Sequence, residues 1–296
     1  MAIKESLNKI NVQGILLENN LEQAQNEKLG TFISGTLVVR VGDSDIPVNF
    51  FSKEIKKDGG LNKIFISLKK LMLFPSVATD GEGVKVNMTG GAISGRDFYT
   101  DDLELISYSE LKCNFCKKST KNYIEEAKFE FEGIVRKVYD EIKNDQETDR
   151  LVVEIVGVNY AETALPVKFV VAKEKAIAYI KTYYASGKTV KVNGDIIYTT
   201  EKIKKVTESA FGDDIVKIFD KVTKDFIITA GTQPYDENDY SQEAIQKIMQ
   251  NRNIFLEGEK AKKVAKMNSK NSAPNSAPTP NKETETKTGN KDGFPF

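Results

Sequence analysis

NVQGIL (Asn11–Leu16), SDIPVNFF (Ser44–Phe51) and GVKVNM (Gly83–Met88) recur later in the same chain as EFEGIV (Glu130–Val135), TALPVKFVV (Thr163–Val171) and TVKVNG (Thr189–Gly194). Gly14 lines up with Gly133 and Pro47 with Pro166, both at an offset of 119 residues. Two separate anchors at one offset mark an internal duplication. Val84 lines up with Val190 at an offset of 106, which leaves the second copy 13 residues shorter between its third and fourth strands.

Within the first copy, the alternation of apolar and polar residues predicts strands. NVQGILL is the first, with an interior glycine of the kind that marks a bulge or sharp bend. Residues 1–9 read as a mobile or helical start and residues 18–30 as a polar connection. TFISGTLVVRVG (Thr31–Gly42) is the second strand, with Leu37, Val39 and Val41 on one face and Val38 and Arg40 on the other. Asp43-Ser44-Asp45 turns the chain and IPVNFF returns as the third. Leu61, Ile64, Leu68 and Leu71 then fall at helical spacing, flanked by Phe65 and Met72, and Pro75 stops the helix. VKVNM is the fourth strand and DLELISY (Asp102–Tyr108) the fifth, joined by the glycine-rich TGGAISGRDFYT (Thr89–Thr100).

The second copy repeats this order. FEFEGIVRKV, RLVVEIVGVN and LPVKFVV are its first three strands. KEKAIAYIKTYYAS (Lys173–Ser186) is its helix, closed by Gly187. TVKVNGDIIYT and KDFIITAG are its fourth and fifth strands, separated by an excursion over Glu201–Asp225. Strand, strand, strand, helix, strand, strand is the order of the OB fold, a five-stranded Greek-key barrel. The order comes from the pattern; closure of the barrels is what the resemblance to that fold implies. The expected fold class is mainly β, two tandem OB folds followed by a C-terminal helix and a disordered tail. Domain boundaries are expected at 1–110 and 128–235, with a connector at 111–127. A helical extension at 236–267 and a tail at 268–296 complete the chain.

Lysine plus arginine number 43 and aspartate plus glutamate number 43, so the net charge is zero. That argues against a surface that traps polyanions everywhere, but a local basic groove depends on where the charge sits. The absence of histidine removes His-based acid–base and nucleophilic chemistry and most mixed zinc sites. Cys113 and Cys116 form one CxxC, half of a tetrahedral zinc site; they are read as ordinary thiols in a connector, with a zinc shared between two chains or a redox pair as alternatives. TGGAISG lacks the Lys-Ser/Thr of a phosphate loop and opens no helix. Asp101-Asp102 and Asp213-Asp214 point to opposite faces and make poor joint metal ligands. No enzyme, cofactor or metal is expected. No apolar run is long enough to span a membrane and no signal peptide is visible, so a cytoplasmic protein is expected.

Residues 268–293 are Asn, Ser, Pro, Thr, Lys and Glu with almost no apolar side chain, and are expected to stay disordered. The chain then reads Asp292-Gly293-Phe294-Pro295-Phe296. Aromatic rings at the end of such a tail make a short docking peptide. This tip resembles the C-terminal peptide of bacterial and phage single-stranded DNA-binding proteins, which ends in acidic residues, an apolar residue, Pro and Phe. Asp292, Pro295 and Phe296 match, and Phe294 takes the apolar slot; Gly293 stands where the family has a second acid. The tail also departs from the family in not being acidic, with Lys282, Lys287 and Lys291 offsetting Glu283, Glu285 and Asp292. The tandem core looks more like a phage-encoded form with two OB folds than the one-OB bacterial form, which would put it in the cytoplasm of a bacterial host.

OB folds hold single strands in a groove across strands two and three, flanked by the loops between strands one and two and between four and five. Pleat alternation selects candidates. In the first copy these are Arg40, Asn49, Phe51 and Lys85, with Arg96, Phe98 and Tyr99 near the loop between strands four and five. In the second copy they are Lys168, Lys191, Tyr198, Lys202, Lys204 and Lys205. Each has a structural alternative: Phe51 as a core residue under the helix, Tyr99 as a cross-strand partner, the lysines as solvated edge guards. The connector lysines Lys112, Lys117, Lys118 and Lys121 either follow a nucleic-acid backbone between the barrels or keep the connector soluble. Val170 stands where the first copy has Phe51, so the first copy is the stronger candidate.

The first reading is therefore a non-enzymatic single-stranded DNA-binding protein. It would coat single strands without sequence specificity in DNA replication, recombination or repair, and recruit replication or recombination proteins through its tip. Self-association is left open. The second reading is a structural or protein-interaction module of two β-barrels, such as a virion or assembly factor.

Overall fold

Gly14 and Gly133, the first anchors of the repeat, occupy equivalent close approaches. A Cβ on Gly14 would lie 2.1 Å from the carbonyl oxygen of Arg40, and one on Gly133 would lie 2.5 Å from that of Val156. At both places the first strand of the copy crosses tightly over the second, which only a residue without a side chain permits. Gly14→Ala is expected to lower stability by ~1–3 kcal/mol, the usual cost of overpacking, as read from a urea unfolding midpoint.

The computed structural model describes residues 3–119, 123–143, 145–207, 211, 215–236 and 240–271. Lys121, Asp213, Asp214 and the tip residues Asp292, Phe294, Pro295 and Phe296 lie outside the described residues, as does the tail from 272 onward. The first barrel is built from β1 (Asn8–Asn26), β2 (Gly30–Val41), β3 (Ser44–Lys53), β4 (Lys85–Tyr99) and β5 (Leu105–Lys112). Helix α1 (Lys63–Leu71) and the single turn α2 (Val77–Asp80) lie between β3 and β4. A short strand β6 (Cys116–Lys118) follows. The second barrel uses β7 (Glu126–Lys143), β8 (Gln146–Val158), β9 (Ala164–Val171), β10 (Thr189–Thr207) and β11 (Ile215–Gly231), with α3 (Glu174–Tyr183) between β9 and β10. Helix α4 (Gln242–Asn271) ends the described chain.

Both barrels close. In the first, β1 pairs with β2 and β4, β2 with β3, β3 in parallel with β5, and β5 with β4. The second repeats the same ring through β7, β8, β9, β11 and β10, again with one parallel pairing, between β9 and β11. These are two tandem OB barrels, and the protein is mainly β. Inward-facing positions alternate as the pleat requires: Ile33, Leu37, Val39, Ile46 and Val48 fill the first barrel, and Leu151, Val153, Ile155, Val167 and Phe169 the second. Phe65, Leu68 and Leu71 of α1 close the base of the first. The side chain of Asn19 on β1 donates to the carbonyl oxygens of Leu71 and Phe74, satisfying acceptors that the end of the helix leaves open.

The strands run further than the sequence pattern suggests. Residues 18–26 continue β1 into a two-stranded arm with β2, the glycine-rich stretch is the extended half of β4, and the excursion after Thr200 is a long β10–β11 arm. Polar and glycine residues hide such arms: beyond Leu21, residues 22–26 are all exposed and no buried face imposes alternation. The ladder also corrects the repeat alignment. Gly14 pairs with Val86 and Gly133 with Val190, so Val86, not Val84, is the counterpart of Val190. The text VKV fits either register because its period is two. Among the described residues the amino-terminal stretch is not helical: Asn8 and Lys9 open β1, and Ser6 is buried and exchanges hydrogen bonds with the backbone of Val158.

The barrels share one continuous sheet. Residues Asn8–Gln13 of β1 pair antiparallel with Phe131–Glu126 of β7, centred on Ile10 opposite Phe129. Those two residues are repeat equivalents, so the junction is a local two-fold in which the same strand of each copy meets itself. A single chain thereby makes the isologous contact that symmetric dimers make between subunits.

Candidate nucleic-acid interface

The pleat sends one set of β2 and β3 residues outward. Cross-strand pairs on this face run Phe32–Lys53, Ser34–Phe51, Thr36–Asn49, Val38–Pro47 and Arg40–Asp45. Phe51 is 48% exposed, and its ring lies 5.8 Å from that of Phe32, tilted by 36°. The exposure rules out the reading of Phe51 as a residue under the helix. Asn49 sits in the middle of the face. Its Oδ1 accepts from Thr36 Oγ1 at 2.7 Å and its Nδ2 donates to Glu110 at 3.1 Å. Glu110, on β5, also holds Lys112 at 2.9 Å and Arg96 at 3.7 Å. A polar strip thus runs from β2 across β3 and β5 to β4.

Beyond that strip, β4 and β5 continue as a hairpin. Its outer face carries Arg96 opposite Tyr108 and Phe98 opposite Ile106. Phe98 and Tyr108 are each close to half exposed and meet edge to face at 6.3 Å. Tyr99 is half-buried opposite Leu105, on the other side of the hairpin.

That other side is fastened down. Arg252 of α4 donates to Asp97 at 2.8 Å and to the carbonyl oxygen of Ala164 at 3.4 Å, with only 13% and 7% of the two ionic side chains exposed. Lys263 reaches Asp101 at the hairpin turn at 2.5 Å. From β11, Lys224 donates to the carbonyl oxygen of Ser109 and lies over the rings of Tyr198, at 5.1 Å, and Phe226, at 5.6 Å. One side of the hairpin is therefore bolted to the second barrel and α4, and the other presents Arg96, Phe98 and Tyr108 to solvent.

Burial pushes the Lys224 ammonium down to about 8, against a partial upward pull from Glu110. Its ordinary value is 10.5, so between about pH 8 and 10.5 the unfolded chain holds a proton that the folded one has released. Stability contributed at this site rises with pH across that window and is lowest where the buried amine is charged. Melting curves at pH 7.5 and 10 should show a relative gain for the wild type over Lys224→Met, whose own pH dependence lacks that increment.

The second barrel does not reproduce the first. Lys168 holds the place of Asn49 but faces Glu154, which accepts from Arg136 at 2.7 Å. Val170, at the place of Phe51, is buried. Val156, Val158 and Ala164 on the same outward face lie under Tyr240 and Ile248, with Ile3 packed alongside. The end of that groove is covered by α4, with Tyr240 just before it and Ile3 alongside.

The remaining candidates disperse. Arg40 is held by both carboxylate oxygens of Asp45, which raises its already high value further. Lys85 lies on the β1–β4–β6 side, 4.5 Å from the ring of Tyr123. Lys191 pairs with Glu130 on the β7–β10 side. The sequence pattern places Tyr198 on a groove; it is instead 7% exposed, because the first barrel packs over it and Lys224 covers its ring. Lys202 and Lys204 are exposed on the β10–β11 arm, where Lys205 pairs in register with Lys217. Phe32, Lys53 and Tyr108 escape the sequence pattern, although the alternation through TFISGTL points Phe32 the same way as Thr36; Lys112, one of the connector lysines, lies on the strip beside Glu110.

Cys113 is buried and donates to the carbonyl oxygen of Phe115 at 3.1 Å; burial pushes the Cys116 thiol up to about 12. Neither is poised as a thiolate. Among the described residues no cluster of three or more His, Cys, Asp or Glu could hold a metal, and no helix is long and apolar enough to cross a membrane.

Several solved structures are similar at low identity. The wild-type single-stranded DNA-binding protein from Thermus aquaticus aligns with a TM-score of 0.48 at 9% identity, over 81% of this chain and 99% of that one. A deletion mutant of the same protein aligns at 0.47 and 10% identity, over 81% and 98%. A replication protein A heterotrimer bound to single-stranded DNA aligns at 0.23 and 10% identity, over 74% and 49%. No curated protein sequence matches. The family model described as YorF matches residues 6–262, and the chain belongs to the YorF family.

Proposed function

We propose that this protein binds single-stranded DNA on the outer face of its first barrel, without catalysis and without sequence specificity. The observation that carries the reading is the pairing of two exposed aromatic clusters, Phe32 with Phe51 and Phe98 with Tyr108, across one hydrogen-bonded polar strip. Exposed rings on a rigid sheet are stacking platforms, and every base has a face to offer them. Lys53, Arg96 and Lys112 stand beside them as phosphate partners. The buried Val170 and the covered Val156 and Val158 favour the first barrel over the second. In this proposal the role is the coating of single strands in replication, recombination or repair, in a phage or its bacterial host. Asp292, Phe294, Pro295 and Phe296 recruit the protein partners.

Fluorescence anisotropy with labelled oligo-dT and unlabelled duplex as competitor tests this. Saturable binding that duplex fails to displace supports it. Three phosphate partners predict that log K falls with log salt at a slope of about −2. An absence of binding at low salt overturns it and leaves the reading as a structural module.

A further inference from the structure

A cleft of about 620 Å³ opens between the barrels, and its floor belongs to the face just described. Ala92, Ser94 and Lys112 line it, and Ser94 is the cross-strand neighbour of Glu110, which anchors Asn49. The far walls come from elsewhere in the fold. Tyr160, on the loop between β8 and β9, is 87% exposed, and Phe255, on α4, is 49% exposed. Both line the same cleft.

The two aromatic walls are held in fixed relation. The loop is closed by Asn159, whose Oδ1 accepts from the backbone N–H groups of Ala161 and Thr163, both at 3.0 Å. Glu162 in that loop is in the left-handed region, at φ 51°. It accepts from the Ile3 backbone N–H at 3.1 Å and from Lys247 of α4 at 2.6 Å. Its carbonyl oxygen accepts from Asn251 at 2.8 Å. Five bonds thus fix the loop that carries Tyr160, and two of them run to the helix that carries Phe255. A single exposed aromatic ring needs no explanation. Two on mutually braced elements that line one cleft, over a floor continuous with an aromatic-flanked strip, are placed to meet bases.

We propose that this cleft is a second base-binding subsite, and that its occupant is the same single strand as it leaves the first barrel past Lys112. The inference rests on the single-strand reading above and adds a path: from Phe32 and Phe51, over Asn49 and Lys112, to Tyr160 and Phe255. The bases stack on the walls, with Lys112 at the entrance and the other lining cation, Arg252, committed to Asp97. The strand so held crosses from one barrel to the other without using the covered groove of the second.

The test compares two oligo-dT probes, about 8 and about 30 nucleotides long, chosen because one OB fold occupies roughly 4–16 nucleotides. Tyr160→Ala removes a ring that supports nothing else and should leave the fold intact. It is expected to weaken the long probe about tenfold, the effect of one lost base stack, and the short probe less than twofold. Tyr160→Phe should bind as wild type. Phe51→Ala should weaken both probes. If Tyr160→Ala binds the long probe like wild type while Phe51→Ala weakens it, the subsite is overturned and the first-barrel face stands. Equal weakening of both probes by Tyr160→Ala also overturns a separate subsite. If the wild type binds neither probe, the underlying reading itself has failed.

Discussion

Replacing Phe51 and Phe98 together with alanine should lower affinity for oligo-dT by about 10²- to 10⁴-fold, with the fold retained. Each ring stacks at most one or two bases, and a base–aromatic stack is worth ~1–3 kcal/mol. Phe51 and Phe98 sit in different clusters on opposite sides of the polar strip, so their losses should add. Both rings are 40–50% exposed, so truncation leaves no core cavity. The structural cost is confined to the Phe32 and Tyr108 ring contacts, ~0.5–1.5 kcal/mol each. An anisotropy titration paired with a thermal melt separates the two effects. A titration about 10²- to 10⁴-fold weaker, with only a small shift in the melt, is the expected combination.

The second large effect concerns stability. Arg252→Ala strips the partner from Asp97, which stays buried between barrel, hairpin and helix. Among the described residues Asp97 then keeps the bond it accepts from Ser107 at 2.6 Å. Breaking one side of a buried pair costs ~3–5 kcal/mol, because the charge left behind is uncompensated. For a fold of this size that is a fall in Tm of about 10 °C. Removing Asp97 as well, in the double variant, should recover part of the loss, since no lone charge then remains. Arg252→Lys should recover little: lysine cannot hold both the carboxylate and the Ala164 carbonyl with one fork. Because the hairpin bolted by Arg252 carries Phe98 and Tyr108 on its other side, the same variant should also weaken single-strand binding.

The barrels were legible in the sequence because two steric demands repeat at one spacing. Gly14 and Gly133 are each required by a crossing strand, and Pro47 and Pro166 each stand beside a valine, Val38 and Val156, on the outward face. Alternation then set Asn49 and Phe51 outward, as found. What alternation cannot carry is the meeting of two barrels. Tyr198 and Lys224 read as groove and strand residues until the first barrel is laid over them. Val156 and Val158 read as ordinary strand positions, and nothing local announces that α4 covers them. Tyr160 is illegible for a different reason. A lone tyrosine in a polar loop carries no pattern, and its meaning comes from Phe255, nearly a hundred residues away and on the other wall of one cleft.

The chain contains no tryptophan, so Phe51→Trp places a single reporter on the first barrel's outer face. Titration with oligo-dT, followed by tryptophan emission, tests the central claim most directly. Stacked bases should quench the emission in a saturable way, with a midpoint matching that from anisotropy and lost on addition of salt. Emission that stays constant while anisotropy reports a bound strand would contradict the account and move the interface off this face.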